Sequence, residues 1–193
     1  MANVDKPYGL RPLGNLSATG AQKQYGYNIA DNQSGAIYQG DLVALSGGYI
    51  VKYVAASHAT AIGVFNGCYY VDPTTGKPTW KNFYPGSINI TTGTIDADVI
   101  DDPSQLFVIQ ADEDVVQADI GQNAAVVVGS TGSNTTGLSN MELDSSTILD
   151  TSTLVLKILG KYNIPDNALG ENFTQVVVKI NCHSLGSVGT AGE

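Results

Sequence analysis

The feature that most constrains this chain is a run of short β-branched and aromatic stretches, each closed by Gly, Asn, Asp or Pro. YGYNIA (25–30), DLVAL (41–45), YIVKYV (49–54), TWKNF (79–83), SINIT (87–91), ADVID (97–101), LFVIQAD (106–112) and NAAVVVG (123–129) follow one another at strand length. STLVLKILGKY (152–162) and FTQVVVKINCH (173–183) complete the series. No helical period is sustained over three turns; VVQADIGQ (115–122) offers at most one helical turn. No 20–50-residue repeat points to a solenoid or propeller. The expectation is an all-β fold, an antiparallel sandwich or barrel.

Turn chemistry sets connections inside this series. Ser46-Gly47-Gly48 between two strand runs predicts a hairpin. AIGVFNGCYYVD (61–72) carries Asn66-Gly67 at its middle, which fits either a tight hairpin or one bent strand with a glycine bulge. Pro7, Gly9, Pro12, Gly14 and Gly20 oppose helix and central strand, so residues 1–24 read as an extended N-terminal arm. Residues 25–183 read as a single β domain with a polar, exposed and mobile loop at 129–140, and 184–193 as a flexible C-terminal tail.

Charge narrows the function classes. The 193 residues carry a net charge of −9, with 14% charged residues against about 25% in a typical soluble domain. A nucleic-acid coat is disfavoured, because phosphate neutralisation needs clustered Lys and Arg. The balance is uneven: residues 1–30 hold Lys6, Arg11 and Lys23 against Asp5, whereas the remainder holds six lysines against seventeen acids. A mildly basic arm thus precedes an acidic body, and the arm is suited to an acidic partner surface. No run of 18 apolar residues suggests a membrane span, and the opening MANVDKPYGLRP lacks the apolar stretch of a signal peptide, so synthesis in the cytoplasm is expected.

Catalytic motifs do not emerge: GxSxG, Walker, GxGxxG and HExxH patterns are missing. Cys182 and His183 are adjacent in a strand-like run and so point to opposite faces, which prevents mutual activation. Cys68 and Cys182 read as two buried reduced thiols, or as a disulfide if their strands are neighbours. The acidic groups Asp96, Asp98, Asp101, Asp102 and Asp112, Glu113, Asp114 lack the turn glycine of a calcium loop and read as solvated turn carboxylates, ahead of a weak calcium site at a subunit contact or a paired-carboxylate glycosidase site. The expectation is no enzyme, no cofactor and no metal. The aromatic cluster Tyr69, Tyr70, Trp80, Phe83 and Tyr84 fits a carbohydrate-stacking platform or, the reading preferred here, core plus subunit interface, with Tyr69, Tyr70, Trp80 and Tyr84 as interface residues.

Seven pieces, in order, resemble the capsid cement (head decoration) proteins of tailed bacteriophages: PYGLRP (7–12), IGVFNGCYYVD (62–72), DDPSQLFVIQAD (101–112), ADIGQNA (118–124), TTGLSNMELDSST (135–147), LKILGKYNIPDNALGEN (156–172) and VVKINCHSLG (177–186). One departure is Asn163-Ile164, where related chains often place Arg before Pro-Asp-Asn. The resemblance implies a structural virion protein on the outside of the head, clamping neighbouring copies of the major capsid protein, with a homotrimer as the expected assembly. In that reading Lys6, Pro7, Tyr8, Arg11 and Pro12 belong to a capsid-docking arm, with Arg11 as its bidentate anchor for a carboxylate. Other readings are a tail or fibre-tip β domain, or a carbohydrate-binding module using Tyr69, Tyr70 and Trp80.

Overall fold

The computed structural model describes residues 3–16, 24–127, 132–186 and 189–192. In chain order its strands are β1 (Arg11–Asn15), β2 (Gln24–Ile29), β3 (Ile37–Tyr38), β4 (Leu42–Ser46), β5 (Tyr49–Lys52), β6 (Gly63–Val71), β7 (Pro78–Lys81), β8 (Phe83–Tyr84), β9 (Ile95–Ile100), β10 (Gln105–Gln110), β11 (Asn123–Val127), β12 (Glu142–Leu149), β13 (Leu156–Lys161) and β14 (Gln175–Ile180). The one described helical element is a single 3₁₀ turn, Gln117–Asp119. Among the described residues no helix is long and apolar enough to cross a membrane.

The strands make two bodies. β4, β5, β2, β9 and β6 pair in that order and β6 returns to β4, closing a five-stranded barrel. The first half of one β6 edge pairs with β4 and the second half with β7, which hangs outside the closed ring. Beside the barrel lies an open antiparallel sheet, β1-β10-β14-β13-β11-β12, and β3 with β8 forms a small ribbon.

Strand alternation explains how two bodies share one wall. Successive side chains point to opposite faces. In β4, Val43 enters the barrel while Leu42 and Ala44 leave it; in β6, Phe65 enters and Val64 leaves; in β9, Val99 enters and Ile100 leaves. The outward set meets Leu10, Phe107, Ile109, Leu156, Ile158, Val176 and Val178, which make a second core between wall and open sheet. Strands buried on both faces read as continuous apolar runs, which is why DLVAL and IGVF lack clear polar alternation. Each fully buried Val, Leu or Ile contributes about 1.5–3 kcal/mol of transfer free energy.

The all-β expectation holds, as does the 41–54 hairpin: Ser46 faces Tyr49, and Gly47 and Gly48 take φ of 58° and 86°. At 61–72 the bent-strand alternative is the one adopted. β6 runs unbroken through Asn66-Gly67, with a bulge between Phe65 and Gly67. Asn66 is tied by Nδ2 to Asp98 Oδ2 at 2.7 Å and accepts from Gln39 Nε2 at 3.0 Å, so the pair is held in the wall instead of turning back. SINIT is loop, not strand: Ser87 adopts φ 52° and its N–H bonds the Gln33 carbonyl. β13 begins at Leu156, not at 152.

The N-terminal segment, expected as an extended arm, is tied to the body over its described residues. β1 is an edge strand on β10, with its register shifting between Pro12 and Gly14. An edge strand tolerates the proline that a central one would not. Leu10 is 1% exposed and sits in the shared core. Gly9, at φ 73°, passes so close to Gly40 and Ser139 that a Cβ would lie 2.8 Å from the Gly40 carbonyl carbon and 2.7 Å from the Ser139 Cβ. Further back, Gln110 accepts from the Lys6 N–H and donates to the Val4 carbonyl. Residues 17–23 lie outside the described residues. The tail is tied likewise at 189–192: the Thr190 N–H donates to Asn181 Oδ1, and the Ala191 carbonyl accepts from Lys157 Nζ. In the 129–140 loop, 129–131 lie outside the described residues. Ser139, by contrast, is fully buried and donates to Asp41 Oδ1 at 2.6 Å.

Candidate docking surface

Of the five residues expected to dock, the structure brings three together. Tyr8, Arg11 and Pro12 line a cleft of about 430 Å³ between β1, β6 and the 132–140 segment, with Val64 and Phe65 in its floor and Leu138 at its rim. Lys6 and Pro7 are not part of it; Lys6 lies toward Gln110, with its side chain exposed.

Arg11, the chain's sole arginine, is exposed and positioned by rings. Its guanidinium carbon stands 4.8 Å from the Tyr8 ring centroid and 5.9 Å from that of Tyr162. Tyr8 is fixed in turn by its hydroxyl, which donates to Gln175 Oε1 at 2.8 Å. Burial pushes the Tyr8 phenol up to about 12, with Arg11 pulling the other way, so Tyr8 stays neutral and supplies a π face. Among the described residues no carboxylate lies within ion-pair distance of Arg11. The arrangement can accept a planar anion edge-on from outside the chain, beside an apolar recess.

The aromatic cluster divides. Tyr70 and Tyr84 are 2% and 0% exposed and belong to the barrel interior, so they are corrected from interface to core. Tyr84 sends its hydroxyl to the Gln33 carbonyl at 3.0 Å, which satisfies the polar end of a buried ring. Tyr69 and Trp80, in contrast, face each other across β6 and β7 on the outer wall, 46% and 54% exposed. Period-2 alternation in β6 separates Tyr69 from Tyr70, and counting from buried Cys68 would have shown it.

A second cleft, of about 670 Å³, lies between barrel and open sheet and includes Tyr53, His58, Cys182 and His183. Its chemistry is muted. Burial pushes the Cys182 thiol up, and Cys182 Sγ donates to the Ser152 and Leu154 carbonyls. His183 is 4% exposed; burial lowers its pKa, and its Nδ1 accepts from the Leu185 N–H. His58 Nδ1 accepts from the Val54 N–H. The cysteines are both free and buried.

The acidic groups are less solvated than expected. Asp98 and Asp101 are buried, and Asp101 accepts from the Tyr27 hydroxyl at 2.8 Å. Asp102 closes a turn by accepting from the Ser104 N–H at 2.7 Å. Asp41, which no motif in the sequence marks, is fully buried yet bonded by the Tyr38 N–H, Ser139 Oγ and Lys52 Nζ, the last at 3.0 Å. Among the described residues no cluster of three His, Cys, Asp or Glu side chains is placed to hold a metal ion.

Comparison with protein-family models, curated proteins and solved structures gives no match to this chain.

Proposed function

We propose that the chain is a structural protein of the phage virion, a cement protein that binds the outside of the head and clamps neighbouring major capsid subunits, working as a homotrimer. The observation that carries this reading is Arg11: one cation, stacked on two tyrosines at the mouth of an apolar cleft, without a carboxylate partner among the described residues, in a chain of net charge −9. Such a group is preorganised for an acidic segment of a partner. Where many copies each make a modest contact, linked contacts multiply through effective concentration, so no single strong site is required.

The segments that resemble cement proteins also bear on the reading. Some of their residues are internal fasteners: Asn167 bonds the Tyr162 and Gln175 carbonyls, Asn181 bonds the tail, and Gly9 makes a close backbone crossing. Their resemblance therefore speaks for a shared fold, and the docking role rests on the Arg11 cleft.

Arg11→Ala tests the reading. Occupancy on purified expanded heads, measured by gel densitometry across protein concentrations, should fall about 10- to 100-fold in affinity, the worth of one charge-assisted contact. Arg11→Lys should rescue little, because a point charge does not replace a stacked planar fork. Unchanged occupancy with both variants overturns the assignment of the cleft. Deleting 2–12 is the poorer test, since it also removes Leu10 from the core.

A further inference from the structure

The outer wall of the barrel carries a row of side chains that the docking cleft does not use. Trp80 on β7 faces Tyr69 on β6; Tyr69 faces Asp96 on β9; Asp96 faces Asn28 on β2. These four are in register across adjacent strands, and alternation turns all of them outward, because Cys68 and Ala97 beside them point into the barrel. At strand spacing the row runs roughly 14 Å along the wall.

Two details make it a prepared surface. A Cβ at Gly67 would lie 2.7 Å from Trp80 Cζ2 and 3.0 Å from Cε2, so the six-membered ring of the indole rests on bare backbone and leaves its other side open. Asp96 is steadied by the Thr94 hydroxyl, which donates to Oδ1 at 2.7 Å; neither its Oδ2 nor the Asn28 amide has a protein hydrogen-bond partner among the described residues.

We infer that this row is a binding strip for a neutral oligosaccharide, with pyranose rings stacked on Trp80 and Tyr69 and their hydroxyls held by Asp96 and Asn28. Aromatic faces bind the C–H side of a sugar, while a carboxylate and an amide at the end of the same row bind its hydroxyls. Charge selects neutral over acidic sugars: Asp96 is in the row, and the chain is net negative. A covered aromatic ring buries roughly 150–250 Å², so the open halves of the two rings offer about 200 Å² to a pair of stacked pyranoses.

Trp80 is the chain's only tryptophan, so its emission reports the strip directly. The full-length protein is screened on a glycan array, then titrated with soluble maltohexaose, cellohexaose, chitohexaose and any neutral array hit while Trp80 fluorescence is followed. The expected result is a saturable change in emission with at least one neutral glycan. Tyr69→Ala and Asp96→Ala should each weaken it about tenfold or more, with unchanged circular dichroism. Trp80→Phe, read on the array, should bind more weakly, and Arg11→Ala should bind as wild type, which separates this strip from the docking cleft. No response to any glycan, or binding undiminished in both Tyr69→Ala and Asp96→Ala, overturns the inference. So does emission that changes with protein concentration alone and tracks a larger species in sedimentation, since the row would then be a self-association surface.

Discussion

The barrel interior and the margin of the open sheet lie side by side and are held by different forces. Inside the barrel, Val43, Ile50, Ile62, Phe65, Ile95 and Val99 are fully buried and apolar. Its polar members are quiet: burial pushes the Cys68 thiol up to about 12. At the sheet margin, loops and tail are pinned by buried amides. Asn181 Nδ2 reaches the Ser152, Leu154 and Thr190 carbonyls at 3.1–3.2 Å, and Asn167 Nδ2 reaches the Tyr162 and Gln175 carbonyls at 2.7 and 2.8 Å. Packing is non-directional and tolerates compensation; an amide that bridges three strands of chain works only in one geometry. The barrel interior therefore stabilises through packing, while the margin fixes which loops lie where.

The largest effect should come from the barrel. Phe65→Ala removes a ring from a closed wall that cannot collapse around the cavity, and should cost about 3–5 kcal/mol in urea unfolding. Asn181→Ala strands several carbonyls at the margin and should cost less, about 2–3 kcal/mol. It should also raise hydrogen exchange at residues 189–192, which Phe65→Ala in mild conditions should not do. Equal costs with equal exchange patterns would erase the distinction between the two regions.

This same division decided what could be read from the residues. Barrel strands are marked by β-branched runs and by Gly47-Gly48, whose positive φ values fix a hairpin without any long-range knowledge. β12 left no such mark. In Glu142–Leu149 only Leu143 is fully buried, and Ser146 and Thr147 hydroxyls bond Asp144, so the sequence looks like loop although the backbone pairs with β11. The N-terminal segment misled for a related reason. Pro and Gly correctly excluded helix and central strand, but edge pairing and the burial of Leu10 depend on β10, more than 90 residues away. At the Arg11 cleft, the cation was identifiable as the sole arginine, whereas its tyrosine seat needs Tyr162 from another strand end. The outward row was half legible: Tyr69 and Trp80 were singled out, while Asp96 and Asn28 join them only through register.

The smallest effect, and the most discriminating, is in pH dependence, because the two titrating groups at the sheet's borders have opposite signs. His183 is held neutral by burial, with Asp101 and Asp102 partly opposing, so its folded pKa lies below the ordinary 6.5. The unfolded chain then binds more protons below pH 6.5, and stability is lost as pH falls through that value toward the folded pKa. Glu142 is raised from 4.5 to about 6 by burial first, then by Asp5 and Asp112. There the folded state binds more protons between 4.5 and 6, and the contribution is present below 4.5 and lost as pH rises past about 6. His183→Gln should gain on wild type as pH drops from 7 to 5. Glu142→Gln should gain on wild type at pH 7 and lose that advantage below about 4.5. Urea midpoints measured across this range for both variants separate the two slopes, which oppose each other in the wild-type chain. Phe65→Ala, which removes neither of these two groups, should lower the whole curve without changing its shape. A pH profile altered in Phe65→Ala would mean that the barrel and the margin unfold in separate steps, which would break the comparison at its base.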